Sequence, residues 1–348
     1  MTRNLAERIA DVRRLQEAAR AIVERRVTLA PAIVESTGLS TEGVELGLTR
    51  HVEVEATDRE LTQLVTWAGD AEAVLVILSS NVFVGALRAL ALARAASNDV
   101  VLRPSRRDPT FARALVEAAN EVGDTRVRIV DELDVASIAR GEIHVYGRDE
   151  TIADVRKKAK VRVRGHGSGM GVAWISAGAD LAKAARGLAE DIVVFDQLGC
   201  LSPRVAFVEG SLERASELGD VLSAELDRLD ASVPRGMVPA EERAAAGRYV
   251  ATMTYASRAL VGSRHAIGVA PPGAPVIVPP PYRNIHVAAC ASAGEAKTLL
   301  APLAKAIVTV GSDDLDAAAK IAPAWARLSL LGHMQRPPLD GPVDLRSE

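Results

Sequence analysis

The sequence predicts an α/β protein built on a doubly wound parallel sheet, because short apolar runs alternate with helical stretches. The runs at 73–78 (AVLVIL), 100–102 and 127–130 are typical of strands that are buried on both faces. Residues at helical spacing lie between them, over 84–96 and 109–122. Strands and helices in this alternation form the parallel sheets of nucleotide-binding domains.

The stretches around this alternation predict further elements. Amphipathic helices are expected over 5–34, and another helix begins at 40–42 (STE). The run 142–146 (EIHVY) predicts one more strand of the sheet. The glycine-rich stretch 165–171 (GHGSGMG) predicts a mobile loop that leads into a strand at 172–175.

The following part of the chain predicts a second α/β region. A helix is expected over 179–191 and a loop over 195–203 (FDQLGCLSP), followed by a strand at 204–209 and a helix over 211–230. Cys200 therefore lies at a junction between a helix and a strand.

The length of 348 residues exceeds what one ordinary hydrophobic core organises, so we expect more than one domain. We predict N-terminal helices and a cofactor-binding domain over 1–190, and a catalytic domain that carries the cysteine over 191–323. Residues 324–348 are expected to return to the cofactor domain or to form an oligomer interface.

Composition and charge exclude several classes of partner. The formal net charge is −3, which gives no global attraction for nucleic acid or for an anionic membrane. The N-terminus is charged from its third residue and lacks the apolar stretch of a secretory signal. The most apolar region, 71–102, is interrupted by Arg88, Arg94 and Asp99, so we expect no membrane span and a cytoplasmic location.

The two cysteines, Cys200 and Cys290, form neither a disulfide framework nor a metal-spaced cluster, which favours a reducing compartment and no metal site. Cys200 follows Gly199 in the predicted loop, where a thiolate nucleophile would be accessible to substrate. A buried structural thiol is the alternative for Cys200, and it is the interpretation that we prefer for Cys290, which ends the apolar run HVAAC.

Three segments, in order, resemble the aldehyde dehydrogenase superfamily and especially the bioluminescence-type, LuxC-like acyl-CoA reductases. They are 77–109 (ILSSNVFVGALRALALARAASNDVVLRPSRRDP), 190–204 (EDIVVFDQLGCLSPR) and 329–341 (SLLGHMQRPPLDG). The match is loose over 211–325. The resemblance implies an aldehyde dehydrogenase-like fold, a Rossmann-type cofactor domain with an α/β catalytic domain, a catalytic Cys200 and a homo-oligomer.

The resemblance also implies a second catalytic residue, Asn81. It stands where the family places the asparagine of its oxyanion hole, and the backbone N–H of Cys200 would be the other donor. A preorganised amide donor of this kind contributes a factor of ~10²–10³ in turnover. A turn-forming role after a strand is the alternative for Asn81.

The cofactor site is expected around Arg103, Ser105 and Arg106, the region where the family carries its lysine-proline-serine-glutamate motif. An acidic residue in place of Arg106 would favour the free ribose hydroxyls of NAD, whereas Arg106 or Arg107 can pair with the 2′-phosphate of NADP. We therefore expect NADPH, with NADH as the alternative cofactor. An exposed basic turn is the competing interpretation.

Gly147 matches the family's glycine near the cofactor phosphates and nicotinamide, and Arg148 beside it is a candidate phosphate partner. An ordinary turn at a strand end explains the same two residues equally well. The glycines of 165–171 are not the G-x-G-x-x-G dinucleotide fingerprint.

The stretch 161–169 (VRVRGHGSG) contains no carboxylate, whereas hydrolytic aldehyde dehydrogenases carry a general-base glutamate at the corresponding place. Without that base, an acyl-enzyme would exchange with a thiol such as coenzyme A rather than with water. Reduction of an acyl-CoA or another acyl thioester to an aldehyde is therefore expected. His166 is a candidate for proton transfer, although a lone histidine is more often structural.

Two other functions remain open at this point. An acyl-phosphate reductase resembling glutamyl-phosphate reductase shares the cysteine, and basic residues such as Arg204 favour it. A catalytically silent nucleotide-binding or scaffold protein fits the missing base and the altered motif around Arg106. The acyl chain length and an acyl-donating partner protein are also left open by the sequence.

Overall fold

The computed structural model describes residues 3–80 and 82–346, which form two compact units. The first unit runs to Ser168 and includes Pro338–Asp344, and the second is formed chiefly by Gly169–Pro337. Within the described residues, the structure contains no helix with the length and apolarity that a membrane span requires.

The first unit is a five-stranded sheet with helices on both faces. Its helices are α1 (Leu5–Glu24), α2 (Arg26–Thr37), α3 (Thr41–Arg50), α4 (Asp58–Ala68), α5 (Gly85–Ala96), α6 (Thr110–Glu121) and α7 (Asp149–Lys158). Its strands are β1 (Val74–Ile77), β2 (Val100–Arg103), β3 (Val127–Ile129), β4 (Glu142–Tyr146) and β5 (Arg162–His166). The strand order is β3-β2-β1-β4-β5 and every pair is parallel, which confirms the predicted doubly wound sheet.

The two faces of this sheet bury different residues. Ile143 and Val145 of β4 face Ile152 and Val155 of α7 in one apolar cluster. The other face is covered in part by α5, whose residues after Gly85 are all buried. Such burial explains why the helix can be composed almost entirely of alanine and leucine, and why its two arginines need partners.

Arg94, at the end of α5, lies in a buried ion cluster. Its Nε donates to Asp124 at 2.9 Å, its Nη2 lies 3.1 Å from Asp11 of α1, and its Nη1 donates to the carbonyl of Ser97. The guanidinium is fully shielded from solvent. The cluster therefore joins α1 to α5 through the buried ion pair of Asp11 with Arg94.

The second unit is built on a seven-stranded sheet. Its strands are β6 (Met170–Ile175), β7 (Pro203–Glu209), β8 (Arg258–Val261), β9 (Ala266–Ala270), β10 (Asn284–Cys290), β11 (Ile307–Ser312) and β12 (Arg327–Leu330). Its helices are α8 (Leu181–Val193), α9 (Leu212–Ser232), α10 (Ala240–Ala256), α11 (Ala293–Leu300) and α12 (Leu315–Ile321). The order is β12-β11-β6-β7-β10-β9-β8, and only β8 and β9 pair antiparallel among the described strands. Helices α8 and α9 cover one face, and α10, α11 and α12 cover the other.

Two predictions differ from this architecture. The unit boundary lies at residue 168/169 rather than at 190/191, because β6 is a central strand of the second sheet. The stretch 165–171, predicted to be a mobile loop, is mostly strand: Gly165 and His166 end β5 and Met170 begins β6. Gly165 lacks a side chain because a Cβ there would lie 2.6 Å from the Ile152 side chain of α7.

Substitution of Arg94 by methionine is expected to destabilise the protein by about 3–5 kcal/mol, because the carboxylate of Asp124 would stay buried without its cation. The matched control is Arg25→Met, which removes an exposed ion pair with Glu121 at 2.9 Å and should cost less than about 1 kcal/mol. Chemical denaturation followed by circular dichroism measures both values. Equal losses in the two variants would show that the buried cluster adds no particular stability.

Candidate active site

Cys200 lies on a short turn that precedes β7, at the amino edge of the second sheet. The residue is half-buried. Cys290 is the last residue of β10 and is fully buried, and burial raises the pKa of its thiol to about 12. The two thiols are not joined in a disulfide. Cys200 is therefore the more exposed of the two cysteines, and Cys290 has the setting of a structural thiol.

The backbone immediately before this turn adopts an uncommon conformation. Phe195, Asp196 and Gln197 are consecutive residues with φ of 51°, 49° and 66°, in the left-handed region. A residue with a side chain costs of order 1–3 kcal/mol there and stays only where its surroundings hold it. The side-chain contacts of Asp196 and Gln197 hold this segment in place.

The Asp196 side chain is buried and paired with Arg283, which also has a left-handed φ of 67°. Arg283 Nε donates to Asp196 at 3.0 Å, and its Nη1 donates to Asp230 at 3.0 Å. The backbone N–H of Gly236 donates to the second Asp196 oxygen at 2.8 Å, and Tyr282 N donates to the Asp196 carbonyl at 3.1 Å. Burial raises the pKa of Asp196, although Arg283 opposes that rise.

Gln197 connects this segment to two neighbouring strands. Its Nε2 donates to the carbonyls of Pro203 at 2.7 Å and of Asn284 at 2.8 Å, and its Oε1 accepts from Asn284 N at 3.0 Å. Pro203 begins β7 and Asn284 begins β10, and these strands are paired. The buried amide of Gln197 thus fixes the start of the Cys200 turn to the amino edge of the sheet.

Two glycines give the turn its space. A Cβ on Gly169 would lie 2.2 Å from Val308 Cγ2 and 3.4 Å from Cys200 Cβ. A Cβ on Gly171 would lie 2.5 Å from the carbonyl oxygen of Leu201. The backbone of β6 and its approach therefore pass directly against the cysteine turn, and only glycine fits at these positions.

The predicted cofactor residues lie at the carboxyl edge of the first sheet. Arg103 ends β2, Ser105 and Arg106 follow it, and Gly147 follows β4. The order β3-β2-β1-β4-β5 reverses direction between β1 and β4, and ligands of open parallel sheets bind at that edge. The structure therefore gathers these residues at one sheet edge. Asn81 lies outside the described residues.

The contacts of Arg106, Ser105 and Gly147 bear on whether these residues can bind a ligand. Arg106 Nη2 lies 3.3 Å from Glu132, and both side chains are exposed. Ser105 Oγ accepts from the backbone N–H of Arg107 at 3.2 Å. Gly147 N donates to the carbonyl of His166 at 3.1 Å, and a Cβ on Gly147 would meet nothing nearer than the Thr151 side chain at 3.8 Å. The space beside Gly147 is thus not filled by the described protein atoms.

A polar row on β4 and β5 was not predicted. Glu142 accepts from His144 at 2.8 Å and from Arg164 at 3.1 Å, and the Tyr146 and His166 rings are stacked with centroids 4.3 Å apart. Burial opposes the charge on Glu142, but His144 and Arg164 prevail and lower its pKa. Burial raises the pKa of Tyr146. The sequence could have predicted this row, because Glu, His and Tyr alternate in EIHVY and alternate residues of a strand share a face.

Asp196, Gln197 and Arg283 were also missed as supports of the cysteine turn. No sequence signal marks them, because left-handed backbone is usually signalled by glycine or asparagine and these positions carry neither.

Solved structures of aldehyde dehydrogenases are similar to this chain in fold. A putative aldehyde dehydrogenase from Burkholderia cenocepacia superposes with a TM-score of 0.70 at 18% identity, over 94% of this chain and 77% of that one. An NAD-dependent benzaldehyde dehydrogenase from Corynebacterium glutamicum gives 0.71 at 14% identity, over 94% and 82%. An aldehyde dehydrogenase from Mycobacterium tuberculosis, solved with NAD⁺, gives 0.70 at 16% identity, over 94% and 77%. These similarities show that the fold is that of aldehyde dehydrogenases.

A family comparison extends this result beyond the fold. No match to the chain was found among curated proteins. The family model of acyl-CoA reductase (LuxC) matches residues 53–305, which includes most of both units and the cysteine turn. The chain therefore belongs to the LuxC family of acyl-CoA reductases, oxidoreductases that act on acyl and aldehyde groups.

Proposed function

We propose that the protein reduces an acyl thioester, foremost an acyl-CoA, to an aldehyde through an acyl-enzyme on Cys200, with NADPH as the cofactor. The observation that carries this proposal is the setting of the half-buried Cys200 thiol. It stands on a turn against Gly169, at the end of a strained segment that Asp196 and Gln197 hold in place. Cys290 is buried within a strand and offers no comparable access.

The proposed reaction begins with attack of the Cys200 thiolate on the carbonyl carbon of the thioester. The new bond from carbon to Cys200 sulfur forms as the bond to the leaving thiol breaks, and the leaving thiolate takes up a proton. A reduced nicotinamide, when bound, supplies a hydride for the acyl carbon. Release of the aldehyde then breaks the bond to Cys200 and restores the thiolate.

Two donors are proposed for the oxyanion that forms in each half of this reaction. They are the side-chain amide of Asn81, by its position in the family pattern, and the backbone N–H of Cys200. Charge develops on one oxygen in each tetrahedral intermediate, and preorganised donors aimed at that oxygen lower the barrier. The hydrogen bonds of Gln197 support this role of the Cys200 amide, because they limit movement of the backbone that leads to it.

Residues at the carboxyl edge of the first sheet fit a nicotinamide dinucleotide. The sheet reverses its order between β1 and β4, and the space beside Gly147 would admit a phosphate close to the backbone. We propose that Arg103, Ser105 and Arg106 bind the adenosine half. The ion pair of Arg106 with Glu132 is exposed and contributes at most about 1 kcal/mol, so the guanidinium can exchange it for a 2′-phosphate.

A thiol is proposed as the partner that exchanges with the acyl-enzyme, because no carboxylate lies in 161–169. Two carboxylates from outside this stretch contact it: Glu142 accepts from Arg164 at 3.1 Å, and Asp149 Oδ1 accepts from the backbone N–H of Ser168 at 2.9 Å. Both carboxylates thus already accept hydrogen bonds from groups of the protein. We also propose a homo-oligomer, and the acyl group can arrive from coenzyme A or from an acyl-donating protein.

The acyl-phosphate alternative depended on basic residues near the cysteine, notably Arg204. In the structure Arg204 donates to the carbonyl of Pro279, and burial lowers the pKa of its guanidinium to about 10. Arg204 thus has a structural partner, which supports a thioester over a phosphate anhydride.

Incubation of the protein with an acyl-CoA, without reduced cofactor, is expected to add one acyl group, which intact-mass spectrometry detects. Cys200→Ala should abolish the adduct and the aldehyde-forming activity, whereas Cys290→Ala should retain both. Acetyl phosphate serves as the competing donor. An adduct that persists in Cys200→Ala would refute the nucleophile, and an adduct from acetyl phosphate alone would favour the acyl-phosphate reductase.

Gly169→Ala is expected to slow acylation of Cys200 roughly 100-fold, because the added methyl group must displace Val308 or the cysteine turn. Gly178→Ala is the matched control, since a Cβ there meets nothing within 4 Å. Stopped-flow measurement of thiol release from the acyl-CoA gives the acylation rate. Equal rates in the two variants would show that the contact of Gly169 with Cys200 has no part in catalysis.

Arg106→Glu is expected to lower the preference for NADPH over NADH by roughly 10- to 100-fold, the effect of about 1.5–3 kcal/mol from hydrogen bonds to a charged phosphate. Arg140→Glu makes the same charge change at the opposite edge of the sheet, where Arg140 pairs with Glu72, and should leave the preference unaltered. Isothermal titration calorimetry with both cofactors measures the ratio. A wild-type protein that binds NADH and NADPH equally would contradict the role of Arg106.

A further inference from the structure

The segment 331–336 (LGHMQR), which we name the C-terminal clasp, contacts both the end of α8 and the cysteine turn. Asp191 of α8 is buried, and its two carboxylate oxygens accept the backbone N–H groups of Gly332 at 2.7 Å and Met334 at 2.9 Å. Burial raises the pKa of Asp191 to about 7, against the effect of these donors. The carboxylate that both amides favour is thus the main form at pH 8 and above.

Gln335 extends the clasp to the cysteine turn. Its Nε2 donates to Ser202 Oγ at 2.8 Å and to the carbonyl oxygen of Asp191 at 3.2 Å. Ser202 is fully buried two residues after Cys200, and its backbone N–H donates to Gly199 at 3.1 Å, which closes the turn around the cysteine. One amide group therefore joins the end of α8 to the turn that carries the thiol.

Met334 fixes the clasp from the other side. Its side chain is buried and occupies space that two glycines leave open, since a Cβ on Gly171 would lie 2.7 Å from Met334 Cε and one on Gly311 would lie 2.3 Å from Met334 Sδ. Gly171 N also donates to the Ser202 carbonyl at 2.8 Å. The clasp is thus anchored beneath the turn through apolar packing as well as hydrogen bonds.

We infer that Gln335 is a positioning residue for Cys200, which holds the thiol in its reactive orientation through the Oγ of Ser202. This inference rests on the proposed function of Cys200 as the nucleophile. Gln197 fixes the chain before the cysteine and Gln335 fixes it after the cysteine, so the turn is held at both ends. A side chain that only stabilised the fold would change the unfolding temperature and leave the reactivity of the folded thiol unaltered.

The test compares Gln335→Met, which keeps the side-chain length but removes both N–H donors, with Ser202→Ala, which removes the acceptor. Arg336→Met is the matched control, because the Arg336 guanidinium donates to Gly332 within the clasp itself. Three quantities are measured at pH 8, well below each unfolding temperature. They are kcat and KM for acyl-CoA reduction and the rate at which iodoacetamide alkylates Cys200. Peptide mass spectrometry identifies the alkylated residue.

We expect Gln335→Met and Ser202→Ala each to lower kcat and the alkylation rate of Cys200 roughly 5- to 30-fold, the effect of one lost hydrogen bond in a catalytic geometry. KM should change little, and the double variant should be no slower than the slower single variant, because both act through one contact. Arg336→Met should behave as wild type.

Unchanged kcat and alkylation in Gln335→Met, with an active Cys200, would overturn the positioning role and leave the proposed function intact. The same losses in Arg336→Met would also overturn it, since the effect would belong to the clasp in general. Activity that survives Cys200→Ala would instead refute the proposed function, and that outcome is independent of Gln335.

Discussion

The buried ion pair between Asp196 and Arg283 is the interaction on which the presentation of Cys200 depends. Three consecutive residues before the cysteine turn have left-handed backbone, and the free energy that they cost must be offset by their contacts. The two carboxylate oxygens of Asp196 accept from Arg283 and Gly236, and its carbonyl accepts from Tyr282. Arg283 also binds Asp230. Loss of Arg283 would leave the carboxylate of Asp196 buried without its ion-pair partner, which is strongly destabilising.

The candidate site residues lie at different edges of the two sheets. In the first unit the candidate cofactor residues Arg103 and Gly147 follow strands and lie at the carboxyl edge, as in other open parallel sheets. In the second unit Cys200 and Gly169 precede strands and lie at the amino edge. That edge exposes the first backbone groups of each strand, which Gln197 uses to fix the turn.

The sequence predicted the parts of the fold that depend on local pattern. The run AVLVIL is β1, and alternation of strands and helices indicated the parallel sheet. Helix α7 was missed because only Ile152 and Val155 among its residues are buried, which leaves little apolar periodicity. Strand β10 was missed because a buried histidine interrupts its apolar pattern at His286. The loop around Cys200 was predicted, but its supports come from distant parts of the chain, and local pattern carries no information about them.

The order of synthesis determines when the contacts that hold the cysteine turn can form. Asp196 is bound by Arg283, and Ser202 by Gln335. Because Arg283 and Gln335 are synthesised much later than Cys200, the turn that carries the thiol cannot make these contacts when it first leaves the ribosome. Contacts between residues so far apart form late in folding, because the intervening chain must first be ordered. A nascent chain thus contains the whole first sheet and Cys200, the proposed nucleophile, before the partners that hold the cysteine turn are synthesised. The proposed reactivity of Cys200 toward acyl donors therefore depends on the late segments that carry Arg283 and Gln335.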